Sequence, residues 1–90
     1  MKSIITDKEE CYLCKCTVGL ETHHVWHGTA NRRLAEEDGL TVPLCQTCHR
    51  RVHDQGINDK FLMRAGERAW IEHTGQSVVE FIKRYGRNYL

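Results

Sequence analysis

Between residues 20 and 54 the apolar and polar positions spell strand, loop, strand, helix, and beyond Gly56 they spell two further helices. Residues 20–26 (LETHHVW) combine β-branched and aromatic side chains and predict a short strand, which Gly28 ends. Residues 31–37 suit a short helix, and the Asp38-Gly39 pair signals a turn. Residues 40–44 (LTVPL) predict a second strand, and Pro43, which lacks a donor N–H, places it at an edge or a strand end. Residues 47–54 predict a helix with Gly56 where a C-terminal cap belongs. Asp59 suits the N-cap of a helix running to about His73, with Leu62, Ala65 and Ala69 on one face, and Gly75 breaks it. Ser77 and Glu80 form a capping-box pattern opening a last helix, along which Val78, Ile82, Tyr85 and Tyr89 make a single apolar stripe. Residues 1–10 read as a polar arm prone to fraying, and residues 11–16 as a tight turn of the zinc-knuckle kind.

Ninety residues make one domain. A chain of this size buries only a little over ~60% of its unfolded surface, so its core is marginal without help. Composition agrees, with 40% hydrophobic residues against 28% charged and only seven aromatics (two Trp, three Tyr, two Phe). A structural metal would make up the difference, because metal binding becomes folding free energy when the unfolded chain has no site.

Five cysteines change the picture in that direction. Residues 1–8 hold no long apolar run, so they are no secretory signal, and no stretch approaches membrane-spanning length. The expected setting is therefore the cytoplasm, where paired cysteines read as metal ligands rather than bridges. Cys11-x-x-Cys14 and Cys45-x-x-Cys48 lie about thirty residues apart and predict a four-thiolate structural zinc site, coordinatively closed and without chemistry of its own. Cys16 is left over, either a buried or free thiol or an alternative ligand to Cys14.

The net charge of +1 does not mark the whole chain as a nucleic-acid binder. Its distribution says more: Arg32-Arg33, Arg50-Arg51 and Lys83-Arg84 with Arg87 are basic points, set against acidic Asp7, Glu9, Glu10 and residues 36–38. A phosphate-binding face needs clustered charge, not a high total.

The histidines carry the sharper chemistry. His49 and His53, four apart, project from one face of the 47–54 helix, and His23-His24 lie on the strand before it. Three imidazoles around an ion leave positions open for water and a phosphate oxygen, which a catalytic metal requires. Adjacent strand residues point to opposite faces, so one of His23 and His24 ligates while its neighbour is free to act as a base. A spare ligand or surface residue is the bland reading of any single histidine, and it is the one given to His27 and His73.

Taken together, Cys-x-x-Cys, His-His on a strand, then Leu-Cys-x-x-Cys-His-x-x-x-His resembles the HNH endonucleases of the ββα-metal superfamily, closest to the small zinc-stapled members of phages and prophages. The resemblance covers about residues 11–54 and leaves 57–90 as a helical extension within a single domain. It implies an α+β fold, a ββα-metal core with a four-cysteine zinc knuckle and C-terminal helices. It also implies His24 as the general base and His23, His49 and His53 as ligands of one divalent ion (magnesium, manganese, nickel, cobalt or zinc). DNA is the implied substrate, hydrolysed to 5′-phosphate and 3′-hydroxyl ends, with Arg32, Arg33, Arg50 and Arg51 available to brace phosphates. The implied setting is a bacterial cytoplasm, alongside other phage proteins. One element departs from the family pattern: no Asn stands just before the second cysteine pair, and Asn31 is the one available as a catalytic loop pin or helix cap. The rival expectation is a catalytically silent zinc module that binds DNA or a protein partner.

Overall fold

The computed structural model describes residues 3–90, in the order β1 (Leu20–His24), α1 (Thr29–Asp38), β2 (Thr41–Cys45), α2 (Gln46–Gln55), α3 (Asp59–Thr74) and α4 (Val78–Tyr85). It is a small α+β fold in which an antiparallel β1–β2 pair packs against helices. The register sets Leu20 opposite Cys45 and His24 opposite Thr41. Thr41, Val42 and Leu44 of β2 are all buried, which is why this strand reads as a continuous apolar run instead of an alternation. Pro43 forfeits no bond, and its carbonyl, on the open side of the sheet, accepts from the Tyr12 N–H at 2.8 Å. That bond fastens the cysteine turn of residues 11–16 to β2.

β1 stops two residues earlier than its pattern suggests. Val25 and Trp26 leave the ladder and turn fully into the core, with the Val25 N–H still bonded to the Leu40 carbonyl at 3.1 Å. Trp26 is the hub: its indole N–H donates to the Met63 carbonyl at 2.9 Å, and its ring meets Phe81, Tyr85 and Tyr89 at centroid distances of 5.0, 5.5 and 5.4 Å. Gly28 then takes a positive φ of 96° at the start of α1, a conformation open to glycine at little cost. α1 begins earlier than expected and ends in a left-handed cap at Gly39, whose conformation also suits glycine.

A second hub ties the helices to one another. The Asp38 carboxylate, at the end of α1, accepts from the Trp70 indole at 3.0 Å, from Arg84 at 2.6 and 2.9 Å, and from the Tyr85 hydroxyl at 2.6 Å. Four donors on two oxygens satisfy the charge where it is partly withdrawn from water.

Expectations also shift at α3, at α4 and along the N-terminal arm. On α3 the buried face is Leu62, Met63, Gly66, Glu67 and Trp70, so the stripe is rotated from the one through Ala65 and Ala69, and Asn58 stands at the N-cap position with Asp59 as the first helical residue. On α4 Phe81 and Tyr85 are buried while Ile82 is exposed; Ser77 does cap, accepting from the Glu80 N–H at 3.4 Å. From Ser3 onward the N-terminal arm is docked, with the Ser3 hydroxyl donating to the Thr41 carbonyl at 2.5 Å, the Ile4 N–H bonded to the Gly39 carbonyl at 2.9 Å, and Ile4 and Ile5 against the core. Residues 1 and 2 of that arm lie outside the described residues. Among the described residues no helix is long and apolar enough to cross a membrane.

Candidate metal centres

Cys11 and Cys14 sit on the turn ahead of β1, Cys45 is the last residue of β2, and Cys48 lies in the first turn of α2. The turn is closed by the Cys11 N–H to the Cys16 carbonyl at 2.7 Å and the Lys15 N–H to the Cys11 carbonyl at 2.9 Å, with Lys15 in the left-handed region. One sulfur from each of the four residues lies within 4.8 Å of the others. Cys14 and Cys45 Sγ are 3.6 Å apart, too far for a disulfide and close to the ~3.8 Å edge of a tetrahedron with ~2.3 Å metal–sulfur arms.

Charge points the same way. Burial works to raise the Cys11 thiol, but backbone N–H groups of Cys14, Cys45 and Leu13 outweigh it and bring Cys11 down to about 6. Burial, together with the other three thiols, pushes Cys48 up to about 12. The cluster thus accepts one negative charge and resists the next, as thiols gathered for a cation do. All five cysteines are free, and the four-residue cluster fits a structural zinc. Cys16 stands apart, exposed, its thiol directed at the Val18 carbonyl.

The second centre follows from strand and helix periodicity. Glu21 and His23 share one face of β1, two residues apart, and that face meets α2 where His49 and His53 stand one turn apart. One ring nitrogen from each of His23, His49 and His53 lies within 4.8 Å of the other two. His49 and His53 Nε2 approach to 3.1 Å, near the ~3.3 Å edge expected for ~2.0–2.1 Å metal–nitrogen arms. His49 Nδ1–H donates to Glu21 Oε1 at 2.7 Å, which leaves the Nε2 lone pair for a ligand. His23 is 2% exposed, and its Nε2 is buried without a hydrogen-bond partner. An orphaned buried acceptor is costly, and a coordinated cation would satisfy it. Burial, reinforced by the neighbouring histidines, lowers the His23 pKa to about 3, so the ring stays neutral and its lone pair available at ordinary pH. The residues present therefore fit a divalent ion.

His24, on the other face of β1, is absent from this donor group. Its Nε2–H donates to Glu36 Oε1 of α1 at 3.0 Å, so Nδ1 is left as an acceptor. Where β1 ends, however, His24 borders the same cleft as the triad, a space of about 420 Å³ also lined by His27 and Arg32. The other arginines are spread out. Arg50 lies beside His49 and His53 on the Glu21 side, Arg51 lies by Cys14 and Cys48, and Arg33 pairs with Glu37 across one turn of α1 at 3.8 Å. Asn31 is in the first turn of α1, and its amide donates to the Tyr85 carbonyl at 3.3 Å, a tie between α1 and the end of α4.

Three carboxylates, Glu21, Glu36 and Asp59, pair with histidines of this region without having been expected at the site. Glu21 was detectable, since it shares a strand face with His23. Glu36 and Asp59 were not, because their histidine partners are 12 and 32 residues away. No protein-family model, curated protein or solved structure matches this chain.

Proposed function

We propose that the protein is a metal-dependent endonuclease that hydrolyses DNA phosphodiester bonds, in the manner of the HNH enzymes its motifs resemble. In this reading β1, β2 and α2 form the ββα-metal core and the four cysteines staple it. One observation carries the reading: three imidazoles converge on one point, and His24 lines the same cleft without belonging to the donor group. A plain zinc module needs the four thiols but gives no reason for the rest.

A divalent ion on His23, His49 and His53 would supply Lewis-acid stabilisation of charge on the phosphate. His24, its Nε2–H held by Glu36, takes a proton from water at Nδ1. The water oxygen bonds to phosphorus in line, the bond to the 3′-oxygen breaks, and 5′-phosphate and 3′-hydroxyl ends result. Arg32 and Arg50, on either side of the triad, reach flanking phosphates. The Asn31 tie to α4 supports this machinery by fixing α1, and with it Arg32 and Glu36.

Supercoiled plasmid incubated with purified protein across a panel of divalent ions tests the proposal. Wild type should nick DNA and hold one tight zinc plus one exchangeable ion per chain. His24→Ala should retain both metals and lose ~10²–10⁴ in rate, the usual worth of a general base. A wild type inert with every ion, or a His24→Ala variant as fast as wild type, leaves the silent zinc module in its place.

A further inference from the structure

The cleft holds a second histidine–carboxylate pair that the mechanism above does not use. His27 Nε2 lies 3.0 and 3.3 Å from the two oxygens of Asp59, the first residue of α3. A carboxylate only accepts, so Nε2 carries a proton toward it, and in the imidazolium form Nδ1 carries a second proton that Asp59 does not take. The His27 ring is half exposed and lines the same cleft as His24 and the triad. The arrangement parallels His24 with Glu36: two imidazoles, each oriented by a carboxylate from a different helix, border one metal-ligating cluster.

We propose that His27, held by Asp59, is the proton donor to the leaving 3′-oxygen. The assignment rests on the endonuclease reading and on elimination along the cleft wall. The remaining lining residues outside the triad are Thr22, His24, Gly28, Thr29 and Arg32. Threonine hydroxyls hold their protons too tightly, Arg32 does not give one up, and His24 is the base. Imidazole is the side chain that exchanges a proton near neutral pH. As water oxygen bonds to phosphorus and loses its proton to His24, the phosphorus–oxygen bond pair leaves with the 3′-oxygen, which takes the Nδ1 proton of the His27 imidazolium. The enzyme ends with His24 protonated and His27 neutral, and exchange with solvent restores both. A mere tie between the β1–α1 connection and α3 would look alike at rest, but it would respond differently to the leaving group.

The test uses duplex DNA with manganese, first unmodified to map a principal cleaved bond, then with sulfur replacing the 3′-oxygen at that bond. A thiolate leaves without help from an acid. His27→Ala should lose ~10²–10⁴ in rate on the oxygen substrate and stay within about threefold of wild type on the sulfur substrate. Asp59→Asn should show a smaller loss on oxygen alone. Metal content and melting temperature should match wild type in both, and His27→Gln, which keeps more of the side-chain volume, repeats the comparison should His27→Ala fold poorly. Equal losses on the two substrates, or no loss on oxygen, overturn the donor role while leaving the endonuclease reading intact. A wild type that cuts neither substrate overturns both.

Discussion

Glu21 shows how one residue tunes the second centre. Its carboxylate, 2.7 Å from His49 Nδ1, fixes the tautomer that turns the Nε2 lone pair toward His53 and His23. The side chain is nearly half exposed, so its removal leaves no cavity to disturb the fold. Glu21→Ala should therefore weaken binding of manganese or zinc at the histidine site by ~10–100-fold, the usual worth of such a partner, with the structural zinc and melting temperature unchanged. Titration calorimetry on zinc-loaded protein measures this directly. Affinity equal to wild type would mean that His49 needs no such partner.

At the scale of elements, the two strands and the α2 helix were legible because their residues answer to local rules. A proline at an open strand side, a glycine after each helix and histidines four apart all act within a few residues. The buried faces of α3 and α4 were less legible. Each face is chosen by Trp26, which reaches α3 through the Met63 carbonyl and α4 through Phe81 and Tyr85, and nothing local announces that. The His27–Asp59 pair was hidden for the same reason, being made only when α3 docks.

Gly66 marks that docking point on α3. A Cβ there would lie 2.5 Å from Val25 Cγ2 and 3.4 Å from the Trp26 ring, both side chains fully buried. Valine is stiff at χ1, so it cannot swing aside cheaply. Replacing a mid-helix glycine with alanine ordinarily gains ~1 kcal/mol, whereas overpacking a core costs ~1–3 kcal/mol. Overpacking should win at this contact: Gly66→Ala should lower the urea midpoint and the melting temperature. A midpoint at or above wild type would show that Val25 and α3 give way more easily than their burial indicates.

For the whole molecule, the two centres depend on one piece of chain. Cys45 ends β2 and stands at the N-cap of α2, Cys48 follows in the first turn, and His49 is its neighbour. A zinc on the four thiols would thus fix the start of the helix that presents His49 and His53, while Cys11 and Cys14 bind the N-terminal turn to the same point. Among the described residues the buried core has thirteen apolar side chains spread over β2, the four helices and the connections, so it is thin enough for metal binding to decide folding. Cys11→Ser, Cys45→Ser or Cys48→Ser should cost the tight zinc and either unfold the domain or collapse its melting temperature. A strong chelator should do the same to wild type, reversibly on adding zinc back. Cys14→Ser should lose zinc too, despite its exposed position, because its sulfur is 3.6 Å from that of Cys45. Cys16→Ser should be neutral, since its sulfur faces the Val18 carbonyl outside the cluster. Mass spectrometry under native conditions counts the zinc, and far-ultraviolet circular dichroism follows the helices. Zinc retained by Cys14→Ser but lost by Cys16→Ser would move the fourth ligand to Cys16. Helices that persist unchanged after complete zinc removal would show that the core folds without the metal, and that the second centre does not depend on the first.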